Sequence, residues 1–172
     1  MIKRILALCM LALLFTAPAW ADSTTVTNTA DLQGALANEL FDTINIAPGI
    51  YVGCFTVTHP VKLIGNSGSK PILDGGALGT VLTITGAEVT LRDLIIQNGN
   101  ARYGAAVYTS VRSSITAEGC TFRDNDSTDA SLYSTTRAVV CVNRGCTATF
   151  TDCDFTGNTV MAGDGICPRH GT

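Results

Sequence analysis

The sequence predicts an all-β protein, a parallel β-helix in which short strands wind around one axis, and two observations carry this prediction. One pattern occurs three times without gaps, at Val89–Asn100, Ile115–Asp126 and Ala148–Thr159. Within each copy, apolar and polar residues alternate, which is the period of a β-strand. A repeat of about 25 to 33 residues made of such short strands is typical of stacked coils whose inward side chains form a continuous core.

A change of phase inside each copy predicts a corner between two strands. In the first copy, the apolar pairs Val89–Leu91 and Leu94–Ile96 are three residues apart instead of two. The corner position is held by Asp93, Gly119 and Asp152, which are residue types that tolerate left-handed backbone. A β-sandwich of antiparallel hairpins is the alternative, but hairpins do not require the same residue class at the same offset three times.

The N-terminus has the pattern of a secretory signal peptide over residues 1–21. Lys3 and Arg4 precede the apolar run Ile5–Phe15, and the segment ends in Ala19-Trp20-Ala21. We therefore expect a secreted protein that is periplasmic, extracellular or associated with the outer membrane. The run is too short to span a membrane and no other stretch approaches the required length, so we expect no transmembrane segment.

Composition restricts the partners of the remaining domain, residues 22–172. Loss of Lys3 and Arg4 lowers the formal net charge from −3 to −5, and no basic run is present. Nucleic acid is therefore not an expected partner. The low charged fraction, 15%, is typical of a rigid β-rich protein outside the cell.

An N-terminal cap is predicted over about residues 28–46, and coils follow from about 50 to 172. Leu32, Leu36 and Leu40 are spaced four residues apart, which predicts a short amphipathic helix over 29–40 with Asn28 and Asp31 available as caps. The helix would cover the apolar end of the first coil.

The remaining strands follow in chain order, and the last coil is incomplete. Its exposed edge predicts end-to-end self-association, or a chain that is part of a longer β-helix. The strands of the first coil and the starts of the later coils are predicted at Phe55–Val57, Val61–Ile64, Ile72–Leu73, Val81–Ile84, Ala105–Val107, Val139–Val140 and Gly165–Ile166.

Six cysteines follow the signal peptide, in a compartment where disulfides can form. Cys120 and Cys153 share one offset in neighbouring copies, and Cys141 and Cys167 share another. Coils about 4.8 Å apart would allow both pairs to form disulfides, although Cys120 and Cys153 are equally well interpreted as buried thiols. The disulfide candidates are Cys54, Cys120, Cys141, Cys146, Cys153 and Cys167.

The segments Asp42–Tyr51 and Ile72–Gly76, together with the later repeats, resemble bacterial right-handed β-helix proteins of the pectin-lyase-like superfamily. The resemblance covers nearly the whole mature chain and implies a single-stranded right-handed solenoid. This fold carries lyases, hydrolases and adhesins alike, so it does not by itself imply an activity.

Two short motifs resemble those of polymorphic outer membrane proteins, which are surface adhesins and autotransporters. They are Phe122-x-x-Asn125 and Phe155-x-x-Asn158, each paired with a small-residue segment at Gly104–Val107 or Gly163–Ile166. The small-residue segments are degenerate and only two Phe-x-x-Asn copies occur. The resemblance implies an adhesin-like role.

A polysaccharide lyase would need carboxylates on adjacent coils with an Arg or Lys beside them. Aligning the copies gives the columns Arg92–Glu118–Thr151 and Asp93–Gly119–Asp152, and no column places two carboxylates on adjacent coils. We interpret Arg92 over Glu118 as a surface ion pair. A third column, Thr90–Thr116–Thr149, is explained by the strand propensity of threonine.

The loop after Arg123 is a weak calcium candidate. It carries Asp124, Asp126 and Asp129, whose oxygens could surround the ion, but any solvated turn contains such residues. No other cofactor is expected.

We therefore expect a secreted, non-catalytic protein that binds a carbohydrate or another cell-surface ligand, or that acts as a scaffold. The alternative is a carbohydrate-active enzyme, either a polysaccharide lyase or a glycoside hydrolase, or a fragment of one. Two carboxylates and a base converging on one groove would favour the enzyme.

Overall fold

The computed structural model describes residues 22–127, 138–160 and 166–168. These residues are mostly β-structure, and among them are one α-helix and three parallel sheets, here called sheets I, II and III, and a small fourth one. The predicted signal peptide, Asp129 and the start of the predicted last coil at Gly165 lie outside the described residues.

Each sheet is built from strands that recur along the chain. Sheet I contains β1 (Asp22–Val26), β2 (Phe41–Ile46), β5 (Val61–Ile64), β8 (Glu88–Arg92), β11 (Ser114–Glu118) and β15 (Thr147–Thr151). Sheet II contains β3 (Ile50–Val52), β6 (Ile72–Asp74), β9 (Ile95–Gln97), β12 (Thr121–Arg123) and β16 (Asp154–Thr156). Sheet III contains β4 (Phe55–Val57), β7 (Leu82–Thr85), β10 (Tyr103–Ser110), β14 (Ala138–Val142) and β18 (Ile166–Pro168). The fourth sheet pairs β13 (Asp126–Ser127) with β17 (Thr159–Val160).

From β2 onward the chain visits sheets I, II and III in turn, with β13 and β17 of the fourth sheet inserted between sheets II and III in the last two repeats. Each strand lies beside the strand of the preceding repeat. Every strand pairing within the described ranges is parallel. These strands therefore do not form the antiparallel hairpins that a β-sandwich would require.

The strand register confirms the columns predicted from the repeats. Thr116 lies opposite Thr90 on one side and Thr149 on the other, and Glu118 lies between Arg92 and Thr151 in the same way. The repeat could be aligned without gaps because each copy supplies one strand to sheet I and one to sheet II.

The predicted corner between sheets I and II is also confirmed. Asp93, Gly119 and Asp152 have φ angles of 54°, 57° and 52°. Left-handed backbone is costly for most L-residues, and Gly and Asp are among the types that tolerate it. The corner therefore depends on the residue types that the repeat keeps at this position.

The core consists of inward side chains stacked from strand to strand. In sheet I, Ile44, Leu63, Leu91 and Ala117 are partners across successive strands, and all four are fully buried. Each large apolar side chain buried in this way contributes about 1.5–3 kcal/mol to folding. The stacked core therefore fixes which face of every strand remains for binding.

The Phe-x-x-Asn motif has a structural role in this stack. Asn125 is fully buried, and its Oδ1 accepts a hydrogen bond from the backbone N–H of Gly99 at 2.9 Å. Its Nδ2 lies 3.0 Å from Oδ1 of Asn158, which occupies the same offset one repeat later. The two asparagines therefore satisfy backbone groups at the turn after sheet II, where no strand pairing does so.

The N-terminal helix is shorter than predicted. Helix α1 spans Thr29–Leu36, with Asn28 as its N-cap, and it buries Leu32 and Leu36. The predicted extension to Leu40 is wrong, since the helix ends at Leu36 and the Leu40 side chain is 73% exposed. Asn38 turns the chain instead, since its Oδ1 accepts a hydrogen bond from the Leu40 N–H at 3.1 Å.

Strand β1 was not predicted. It pairs with β2 at the end of sheet I, but of its five residues only Val26 is buried. One buried residue leaves no apolar alternation from which a strand could be recognised.

Candidate binding site

The outer side of sheet II carries a hydrogen-bonded row of side chains, which we call the polar ladder: Asp74, Gln97 and Arg123. These residues are partners in adjacent strands. Gln97 Nε2 donates to Asp74 Oδ2 at 2.7 Å, and Arg123 Nε donates to Gln97 Oε1 at 2.8 Å. The ladder therefore holds three functional groups in fixed positions along about 10 Å of the sheet.

The ionised form of Asp74 is stabilised within the ladder. Burial disfavours the charged carboxylate, but hydrogen bonds from Gln97, from the Gly76 N–H and from Asn98 outweigh that effect, so its pKa lies below the usual value. Arg123 adds a favourable charge interaction. Asp74 is therefore an anion with most of its acceptor positions already occupied.

An apolar strip runs beside the ladder on the same outer face. Ile50, Ile72 and Ile95 are partners across β3, β6 and β9, and Ile50 is 61% exposed. Val52 and Leu78, exposed by 52% and 76%, extend the apolar surface at the N-terminal end. The sequence had the signal for this strip, since the isoleucines occupy the outward phase of their strands, where polar residues are usual.

A groove of about 270 Å³ is lined by residues at sheet I, among them two carboxylates and one amine. It is lined by Asp42, Pro60, Val61, Lys62, Glu88 and Thr90, which come from β2, β5, β8 and the residue before β5. Within the described residues, Lys62 forms no ion pair with either carboxylate. We call this feature the charged groove.

One oxygen in the charged groove lacks a hydrogen-bond partner. Asp42 Oδ1 is buried, and no donor in the part of the chain that the structure describes reaches it. Asp42 shares the alternation phase of Ile44 and Ile46, both of which are buried. The sequence could have indicated this residue, because a carboxylate stands where the alternation of β2 places buried side chains. It was missed because Asp42 lies outside the three aligned repeats.

A second groove, of about 350 Å³, separates α1 from sheet III and contains Cys54. Its other lining residues are Gln33, Leu36, Ala37, Phe55, Thr56 and Thr58. Cys54 is an exposed thiol there.

The ion pair predicted between Arg92 and Glu118 is confirmed. Arg92 Nε lies 3.1 Å from Glu118 Oε2, and both side chains are substantially exposed. Exposed pairs of this kind contribute little to stability, because solvent screens the two charges. The pair is a consequence of the strand register in sheet I, and it does not by itself indicate a functional site.

The structure brings no metal-binding cluster together in the ranges that it describes. Asp124 lies in a turn with φ 53°, and its Oδ2 is 4.0 Å from Arg123 Nε. Asp126 lies in β13. Since Asp129 is outside the described residues, the calcium prediction remains untested.

The described cysteines are thiols at positions 54, 120, 146 and 153. Cys120 is fully buried, and its Sγ lies 3.4 Å from the Glu118 carbonyl oxygen. Burial raises the pKa of Cys120 to about 11. Cys120 and Cys153 are thus thiols and not a disulfide, and Cys153 is only partly buried. Cys141 and Cys167 are partners in register across β14 and β18, as their shared offset predicted.

His59 lies at the bend between β4 and β5, where the sequence also predicted a turn. Its burial was not predicted: it is only 7% exposed, and neither ring nitrogen has a hydrogen-bond partner among the described residues.

Comparisons of the chain with protein-family models, curated proteins and solved structures give no match. No helix within the described residues has the length and apolar character needed to cross a membrane.

Proposed function

We propose that the chain is an exported, single-stranded right-handed parallel β-helix that binds a carbohydrate or another cell-surface ligand without catalysis. The regular succession of sheets I, II and III and the purely parallel pairing support this fold, because a parallel return to the same sheet requires a crossover and crossovers are right-handed. The resemblance to pectin-lyase-like proteins and to surface adhesins agrees with the same proposal.

The observation that carries the functional proposal is the outer face of sheet II. The polar ladder presents carboxylate, amide and guanidinium groups in one row, and the isoleucine strip runs parallel to it. Side chains already held by hydrogen bonds lose little entropy when a ligand binds. A face that alternates polar and apolar rows suits a sugar chain, whose rings carry both hydroxyl groups and C–H faces.

Binding to a panel of insoluble cell-surface polymers, such as chitin, cellulose and peptidoglycan, tests this proposal. We expect at least one polymer to retain the protein, and Ile95→Asp and Gln97→Ala each to reduce the retained fraction at least tenfold. Thr83→Ala, on the outer side of sheet III, is the matched control. Retention that depends equally on all three positions would contradict binding by this face.

Export is proposed from the signal peptide pattern and is tested by intact-mass analysis of protein from an exporting host. The mature chain should begin at Asp22. A species that keeps Met1 would overturn the proposed localisation.

Catalysis is the second candidate, and the charged groove favours it. Asp42, Glu88 and Lys62 are the two carboxylates and the base that a carbohydrate-active enzyme would require in one groove. Assays for unsaturated products and for new reducing ends on pectin, alginate and neutral glycans separate the two candidates. Turnover that Glu88→Gln abolishes would replace the binding proposal with an enzymatic one.

Self-association through the C-terminal coil edge is proposed as well. Phe155 is 39% exposed, whereas Phe122, at the same offset one repeat earlier, is fully buried. The Phe122 and Phe155 rings are stacked with centroids 4.7 Å apart, and among the described residues β15 and β16 are the edge strands of their sheets. An exposed aromatic ring beside unpaired strand edges favours contact with another chain.

A further inference from the structure

We propose that removal of the signal peptide completes the fold, because the α-ammonium group that cleavage creates on Asp22 forms an ion pair with the carboxylate of Asp42. This role rests on the proposed export, since it requires processing between Ala21 and Asp22. It gives the new N-terminus a structural function that is separate from ligand binding on sheet II.

The strand register places Asp42 beside the first residue of β1. Asp22 pairs with Phe41, whereas Ser23, the next residue, pairs with Thr43. One step along β1 thus spans two steps along β2, and Asp42 is the residue left without a partner in β1. Neighbouring strands are about 4.8 Å apart and a backbone nitrogen is about 1.5 Å from its Cα, so the Asp22 nitrogen lies within reach of the Asp42 side chain.

The Asp42 carboxylate requires a donor that the chain itself supplies. Its Oδ1 is buried from solvent, and no donor among the described residues reaches it. Lys62 lines the same groove but forms no ion pair with Asp42 in the described ranges. Buried polar atoms in native proteins almost always have a hydrogen-bond partner. Because neither solvent nor a described side chain satisfies this oxygen, the donor must be a group that the chain gains later.

Cleavage of the signal peptide creates such a donor at the right place. In the precursor the Asp22 nitrogen belongs to the peptide bond with Ala21, so it is uncharged and carries one hydrogen. Signal peptidase adds water across this bond, which leaves a carboxylate on Ala21 and a free amine on Asp22. The protonated amine has three N–H donors and a positive charge, and a hydrogen bond between two charged groups is about twice as strong as one between neutral groups.

The precursor and the mature chain should therefore differ in stability. A buried carboxylate without a partner is destabilising, and the precursor keeps one at the start of sheet I. Strand β1 is an edge strand in which only Val26 is buried, so few other contacts hold its first residues in place. The full stability of the domain thus appears only after processing.

Urea denaturation of two chains that differ by one N-terminal residue tests the proposal. A site-specific protease releases from a fusion either a chain that begins at Asp22 or one that begins at Ala21, and the two have the same net charge. We expect the chain that begins at Asp22 to have an unfolding equilibrium constant about tenfold smaller. Its α-amine should also react more slowly with an acetylating reagent, as measured by mass spectrometry of the N-terminal peptide.

Two variants identify the partner of the amine. Asp42→Asn should remove both differences between the two chains. Glu39→Gln, which changes the charge equally at an exposed carboxylate outside the groove, should preserve both. Far-UV circular dichroism spectra that match the wild type establish that each variant is folded.

Equal unfolding constants for the two wild-type chains would overturn the proposal, as would a difference that persists in Asp42→Asn. Failure here is distinguishable from failure of the proposed function. Because the added protease sets the N-terminus, the result does not depend on where an exporting host cleaves the chain. Ile95→Asp and Gln97→Ala, on sheet II, should leave the difference between the two chains intact while they reduce retention on insoluble polymers.

Discussion

Replacement of Asn125 by alanine should be the most destabilising polar truncation among the described residues. Asn125 is fully buried, and its Oδ1 accepts from the Gly99 N–H at 2.9 Å. Its Nδ2 donates toward the carbonyl oxygens of Ile96 and Arg123 and toward Asn158 Oδ1, at 3.1, 2.9 and 3.0 Å. Two N–H groups can serve at most two of these acceptors well, so three strong hydrogen bonds are lost in total.

The expected loss follows from those contacts. Each hydrogen bond contributes about 1 kcal/mol net, and the Gly99 N–H, left buried without an acceptor, costs about 1–3 kcal/mol more. Asn125→Ala should therefore lower the free energy of unfolding by about 4–6 kcal/mol. Urea denaturation followed by circular dichroism measures this as a lower midpoint with an unchanged slope.

Two further variants define the comparison. Asn45→Ala removes an exposed asparagine with one side-chain hydrogen bond, of 3.3 Å, and should change stability by less than about 0.5 kcal/mol. Asn158→Ala, at a partly exposed position, should cost about 1–2 kcal/mol because water can replace part of what is lost. If Asn125→Ala costs no more than Asn45→Ala, the stacked asparagines do not hold the turns together.

Four other experiments have definite outcomes. Gly99→Ala should lower the urea midpoint far more than Gly68→Ala does. A Cβ at Gly99 would overlap the Ala105 carbonyl oxygen, whereas the nearest contact at Gly68 is 3.4 Å. Since the pKa of Cys120 is about 11, only about 0.1% of this thiol is ionised at pH 8. Mass spectrometry should therefore find iodoacetamide on the exposed Cys54 long before it is found on Cys120. Modification of both cysteines at the same rate would contradict the burial of Cys120. The raised pKa of Cys120 also makes folding stability depend on pH. The stability that this thiol contributes is fully present below its ordinary pKa of 9.0 and is lost as the pH rises toward about 11. Denaturation at pH 8 and at pH 11, with Cys120→Ala as the control, measures this loss. Phe155→Lys should convert a concentration-dependent sedimentation coefficient into a constant one; self-association that persists in this variant would place the contact elsewhere.

The repeated parts of the fold could be predicted from the sequence, because the same residue class at the same offset in three copies is stronger evidence than one occurrence. Asp93, Gly119 and Asp152 identify the corner only when they are aligned, since one Asp in isolation is compatible with any turn. The same alignment gave the Thr90–Thr116 column and the Arg92–Glu118 ion pair, because parallel neighbours one repeat apart lie side by side.

The features outside the repeat could not be predicted in this way. The end of α1 is set by Asn38, whose side chain accepts a hydrogen bond from the backbone in place of the next helical turn. The spacing of the leucines alone predicted that the helix would continue through this position. The charged groove needs Asp42 from the cap beside Lys62 and Glu88, so it becomes visible only when β2, β5 and β8 are placed side by side. The disulfide prediction for Cys120 and Cys153 rested on spacing, which is equally compatible with the two unlinked thiols that the structure has.

Oxidative cross-linking of Thr90→Cys/Thr116→Cys tests most directly whether neighbouring repeats stack in parallel register. The two residues are outward-facing partners in β8 and β11, and their Cα atoms should be about 4.8 Å apart, within the range for a disulfide. In the control Thr90→Cys/Thr149→Cys, the strands are two positions apart, at about 9.6 Å, which is too far. Peptide mapping by mass spectrometry without reduction should find the 90–116 bond and no 90–149 bond. A 90–149 bond, or no bond in either variant, would contradict the stacked register on which the binding faces depend.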